Sequence, residues 1–108
     1  MTIIKKIEMY RDKKVFVDNI SKAFEASAGS SVVKIDYEVY EKDFCGETLF
    51  QEFLVVTFRG GAKSVRNANG NSNTANFREL GKLIDGGYYD EVPFYDELEE
   101  RGFLRVAL

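Results

Sequence analysis

Residues Ser31–Phe58 read SVVKIDYEVYEKDFCGETLFQEFLVVTF, and the phase of this stretch decides the fold. Val33, Ile35, Tyr37 and Val39 alternate with Lys34, Asp36, Glu38 and Tyr40. A repeat of two is a strand with one apolar and one mostly wet face, here predicted over Ser31–Glu41. Asp43-Phe44-Cys45-Gly46 punctuates a turn, and Glu47–Phe58 follows as a second strand. Both of its faces become apolar toward the end, through Phe53, Leu54, Val55 and Val56, as in a central strand covered on both sides. Arg59-Gly60-Gly61 then turns the chain into a short third strand, Ala62–Arg66. Connections this short predict an antiparallel meander, because parallel neighbours need long crossovers.

Working outward, Phe16, Ile20, Ala23 and Phe24 form an amphipathic helical stripe. Asp12 is its expected N-cap and Gly29 its stop. A rival reading makes Lys14–Val17 a strand, with Asp18 capping a shorter helix. Thr2–Tyr10 fits either a helical turn or a short strand. Downstream, Phe77, Leu80 and Ile84 predict a helix over Thr74–Asp85, ended by Gly86-Gly87. Pro93 opens a second short helix to Arg101, Gly102 closes it, and Phe103–Ala107 reads as a last strand. The expected class is α+β: an antiparallel three- to four-stranded meander with helices packed on one face. Val33, Ile35, Leu54, Val55, Leu80 and Ile84 should be buried.

At 108 residues the chain fits one domain, residues 1–108, able to bury about two-thirds of its unfolded surface. A hydrophobic content of 44% with nine Phe supports a packed core rather than disorder. The apolar run Phe53–Phe58 is too short to span a membrane. Lys5 and Lys6 follow the apolar pair Ile3-Ile4 with no apolar run after them, so no signal peptide is expected. One cysteine, Cys45, suits a reducing cytosol. With no histidine and a single thiol, common zinc, haem and iron–sulfur sites are not expected, and no cofactor or metal is assigned.

Charge is segregated along the chain. Asp85–Glu100, DGGYYDEVPFYDELEE, carries seven carboxylates, four aromatics and no cation. The net charge of the whole is −3, so the other 92 residues sum to +4. Asp85, Asp90, Glu91, Asp96, Glu97, Glu99 and Glu100, with Tyr88, Tyr89 and Tyr95 as anchors, form a candidate contact strip for a basic protein groove. The plainer alternative is a solvated helix face with its aromatics in the core. Arg66, Asn67, Asn69 and Asn71 make a secondary polar candidate beside a helix start. Loop construction alone also explains those asparagines, which tolerate left-handed backbone. The chain's glycines match neither the phosphate-loop nor the dinucleotide spacing, and no Gly-Lys-Ser/Thr occurs.

Clustered carboxylates such as Asp90, Glu91 and Asp96 could serve acid–base chemistry, but without His the chain reads as a non-enzyme. Cys45 has no base for covalent catalysis and is expected to be a partly buried, inert thiol. Lys5, Lys6, Arg11, Lys13 and Lys14, interleaved with Tyr10, form a basic cluster that could bind nucleic acid weakly. That cluster carries the alternative reading, a small nucleic-acid-binding or oligomeric structural protein. The chain's negative total makes direct nucleic-acid binding the weaker of the two.

From Gly60 to Glu91, GGAKSVRNANGNSNTANFRELGKLIDGGYYDE resembles small proteins carried by phages and other mobile elements of Gram-positive bacteria. The likeness covers about a third of the chain and rests on the Arg66–Asn71 and Gly86–Tyr89 patterns. Studied proteins of this kind include anti-CRISPR inhibitors, many of them small, cytosolic, acidic and without catalytic machinery. The resemblance implies a non-catalytic inhibitor in the bacterial host cytoplasm, blocking a type II RNA-guided nuclease by occupying a basic nucleic-acid groove.

Overall fold

The structure, a computed structural model, describes residues 2–68 and 94–108. A long helix, α1 (Ile3–Ala26), opens the chain. Three strands follow, β1 (Val32–Phe44), β2 (Glu47–Phe58) and β3 (Lys63–Asn67). Then come a short helix, α2 (Phe94–Glu100), and a two-residue strand, β4 (Leu104–Arg105). The sheet order is β3-β2-β1-β4, antiparallel throughout. This is the expected α+β class, with a meander of three strands and a fourth added at the β1 edge. The expected Thr74–Asp85 helix, with Leu80 and Ile84, lies outside the described residues. Among the described residues, no helix is long and apolar enough to cross a membrane.

The Thr2–Tyr10 ambiguity resolves as helix, and the cap of α1 lies ten residues before the expected Asp12 cap. Thr2 is the N-cap: its backbone is extended and its Oγ1 accepts the Lys5 N–H at 3.2 Å. Asp12 sits mid-helix and the Lys14–Val17 strand does not form. The reason is that α1 buries Tyr10, Lys13, Val17 and Ser21, a stripe at near-heptad spacing with two polar members. A stripe interrupted by a lysine looks like a helix boundary in sequence, whereas here the lysine is part of the seam.

Tyr10 meets the Phe50 ring at 5.4 Å, Lys13 meets Glu52, and Ser21 Oγ accepts the Ile35 N–H at 2.9 Å. Ile35 pairs with Val56, so α1 runs along the sheet in the direction of β2. Beneath it lie Ile35, Tyr37, Val39, Leu54 and Val56, all nearly inaccessible to solvent. The sheet's other face holds a smaller cluster in which Tyr40 and Leu98 pack with Phe53, Val65 and Phe103. The one-face expectation therefore holds for α1, while Leu98 of α2 packs against the opposite side.

Two further details differ from simple alternation. The β1–β2 register shifts between Val32 and Lys34, so Val33 is the extra residue of a β-bulge. Val32 is consequently buried and Val33 only half-buried, the reverse of the expectation for Val33. Ile35, Leu54 and Val55 are buried as expected. The supposedly wet face of β1 is also closed at Glu38 and Tyr40. At the hairpin tip, Cys45 and Gly46 both have positive φ, 53° and 82°, as a two-residue type I′ turn demands. A side chain at the tip of such a turn points to solvent, so Cys45 is exposed rather than partly buried.

The bulge makes a testable contrast. Val32→Ala removes two buried methyl groups and should destabilise by about 2 kcal/mol in urea denaturation. Val33→Ala should cost less than half as much. Equal costs at the two positions, or the larger at Val33, would refute the bulged register.

Candidate functional site

Two buried carboxylates lie on adjacent strands and face opposite sides of the sheet. Glu52 of β2 faces α1, where Lys13 Nζ reaches its Oε1 at 2.7 Å and the Tyr37 hydroxyl donates to the same oxygen. Lys13 also lies 5.7 Å from the Tyr10 ring centroid. Glu38 of β1 faces the other way. Its Oε1 accepts the Tyr40 hydroxyl at 2.6 Å and its Oε2 accepts the Tyr95 hydroxyl at 3.0 Å. Arg105 of β4 stands 3.8 Å from Oε1, supplying the counter-charge. Buried charge is tolerable when paired and hydrogen-bonded in this way.

The tyrosines record these surroundings. Burial first, then the hydrogen bond to Glu52, holds Tyr37 far above the ordinary tyrosine value. Tyr40 is raised by burial and by its bond to Glu38. Tyr95 is pushed up to about 12, by burial first and then by the Glu38 charge.

Glu38 ties the acidic helix to the sheet. Leu98 and Tyr95, three residues apart on α2, both turn inward, toward Tyr40 and toward Glu38. Asp96, Glu99 and Glu100 are exposed. Glu97 is half-buried and pairs with Arg101 one turn on. Tyr95 keeps 48% of its surface exposed although its hydroxyl is engaged. Of the sequence-predicted strip, the structure thus brings Tyr95, Asp96, Glu97, Glu99 and Glu100 together on α2. Asp85, Tyr88, Tyr89, Asp90 and Glu91 lie outside the described residues. Of the secondary polar candidate, Arg66 and Asn67 belong to β3, in register with Leu54 and Phe53, while Asn69 and Asn71 lie outside the described residues.

The basic cluster is partly consumed by the fold. Lys13 is buried on Glu52, Lys14 pairs with Asp18 at 3.2 Å, and Lys6 lies 5.6 Å from the Phe50 ring centroid. Lys5 and Arg11 remain exposed. A groove of about 320 Å³ runs along the β1 edge between α1 and the chain after β4, lined by Lys14, Tyr37, Glu38, Arg105, Val106 and Leu108 among others. Among the described residues, no group of three or more His, Cys, Asp or Glu is placed to hold a metal ion.

Sequence reasoning missed Glu38, Tyr40 and Arg105. The available signal was a carboxylate flanked by Tyr37, Val39 and Tyr40 in a strand otherwise suited to burial. Compared with family models, curated proteins and solved structures, the chain matches none.

Breaking the α1-side pair should be expensive. Lys13→Met keeps the length of the side chain but strands the Glu52 charge, and should cost about 3–5 kcal/mol in urea denaturation. A loss below about 1 kcal/mol would mean that the pair is solvated. The tyrosines set an alkaline limit. Above pH 10 the unfolded chain releases tyrosine protons that the folded chain retains, so stability is full below pH 10 and declines as pH rises toward 12. Tyr37→Phe should remove about 1.4 kcal/mol per pH unit of that slope. An unchanged slope between pH 10 and 11.5 would exclude Tyr37 as its source.

Proposed function

We propose that this chain is a non-catalytic binding protein of the kind mobile elements carry. It acts in the bacterial cytosol by occupying a basic nucleic-acid groove on a type II RNA-guided nuclease. The observation that carries this reading is the outward face of α2. There Asp96, Glu99 and Glu100 are exposed beside a half-exposed Tyr95, while Leu98 is buried behind them. Carboxylates fixed on a helix can stand in for phosphates opposite Lys and Arg, and a tyrosine ring adds contact area. The resemblance of residues 60–91 to mobile-element proteins supplies the class of partner. The alternative, phosphate binding by the basic N-terminal cluster, is weakened because Lys13 is buried and Lys14 and Lys6 have partners.

The test uses a purified, guide-loaded type II RNA-guided nuclease. The wild-type chain should bind it, slow target cleavage, and lose affinity as salt rises, because exposed charges are screened over about 10 Å at 0.1 M. The triple change Asp96→Lys, Glu99→Lys, Glu100→Lys should weaken binding about ten- to hundredfold with the melting temperature little changed. Absence of wild-type binding would dismiss the nuclease as partner. Binding that survives the triple change would reduce the acidic face to a solvated surface. Tighter binding of the triple variant to DNA or RNA would favour the alternative.

A further inference from the structure

We propose that Glu38 is the positioning residue of the acidic face: by holding the Tyr95 hydroxyl it fixes the rotation of α2, and so determines which carboxylates a basic partner meets. The inference rests on the binding role proposed above for α2.

A seven-residue helix is far below the length at which helices persist alone in water. Its composition makes matters worse, since Glu99 and Glu100 lie at the C-terminal end, where the helix dipole disfavours negative charge. Tertiary contacts must therefore hold α2. Leu98 forms a buried cluster with Tyr40, against which Phe53, Val65 and Phe103 pack, but an apolar contact at one residue does not by itself stop a helix from rolling about it. Tyr95, one turn earlier on the same side, adds a directional contact to Glu38 Oε2. Two anchors one turn apart fix rotation as well as distance.

Glu38 is suited to the role because it cannot readily reorient. It is only 4% exposed, its Oε1 is taken by Tyr40, and Arg105 stands beside it from β4. It also faces away from α1, whose own polar contacts run to Glu52 and to the Ile35 N–H. Altering Glu38 should therefore disturb α2 more than the main core. With its hydroxyl on Glu38, Tyr95 still keeps about half of its surface exposed, on the same short helix as the exposed Asp96 and Glu99.

The experiment compares Tyr95→Phe, Glu38→Gln and Glu38→Ala with the wild type. The first readout needs no partner: amide hydrogen exchange at Arg101, Gly102 and Phe103, whose N–H groups bond to Glu97, Glu99 and Leu98 carbonyls at the end of α2. Tyr95→Phe and Glu38→Ala should speed exchange there about tenfold, with the amides of β1 and β2 unchanged. Glu38→Gln, which keeps an acceptor, should restore much of the protection. In the same samples, Tyr95 should ionise at lower pH in Glu38→Gln, followed by ¹³C-labelled tyrosine resonances. The second readout is affinity for the guide-loaded nuclease, which Tyr95→Phe should lower although no charge has changed.

Exchange unchanged at α2, or raised uniformly across the sheet, overturns the positioning role whether or not the nuclease binds. Faster exchange at α2 with full nuclease affinity in Tyr95→Phe overturns the claim that the partner reads this orientation. If the wild type fails to bind, the nuclease reading falls, while the exchange data still decide whether Glu38 positions α2.

Discussion

Between α1 and the sheet, the Glu52 carboxylate receives the Lys13 ammonium and the Tyr37 hydroxyl within a layer otherwise built from Val17, Ile35, Val39, Leu54 and Val56. Apolar side chains tolerate small slips, since burial is non-directional and area is nearly conserved. A carboxylate in that layer does not. Moving β2 by one residue turns Glu52 to the opposite face, and moving α1 by one withdraws Lys13. Either leaves a buried charge unpaired, at several kcal/mol. The network thus selects one helix position and one strand register from the many that would bury similar apolar area. Ser21 reinforces the choice by satisfying the Ile35 N–H at the β1 edge.

On the other side of the sheet, Glu38 repeats the arrangement with different partners. Glu52 draws its donors from α1 and β1. Glu38 draws its own from β1 and α2, with Arg105 of β4 nearby. One carboxylate therefore organises the main core, and the other attaches the C-terminal elements to it. The basic residues near the N-terminus acquire a structural reason at the same time. Lys13 neutralises Glu52, and Lys6 covers Phe50 at the edge of the core.

Much of this was legible in the sequence, and the failures share a cause. The β1–β2 hairpin was readable because Val39, Leu54 and Val55 keep strand phase and Cys45-Gly46 provides the turn. Val33 was misplaced because an inserted bulge residue restores phase on one side only, and nothing in the local residue types marks it. The start of α1 was lost because Lys13 and Ser21 occupy core positions, and a reader of apolar stripes stops at a lysine. Glu38 and Arg105 were missed for the same reason: a charge becomes a core residue only when its partner, remote in sequence, is known. The acidic helix itself was clear, since Pro93, the carboxylate run and Gly102 delimit it locally.

Sequence distance orders these attachments. The hairpin closes through two residues, and α1 directly precedes it, with Lys13 and Glu52 separated by 39 positions. Tyr95 and Glu38 are separated by 57. Closing the longer loop costs more chain entropy, and the helix it secures is short. Among the described residues, α2 and β4 are therefore expected to fold last and open first, resting on a hairpin and helix that assemble from near neighbours. Gentle warming should thus separate two events that a single melting curve would merge. The contact proposed for α2 would then end when this piece lifts away, at a temperature where the sheet beneath it is still intact.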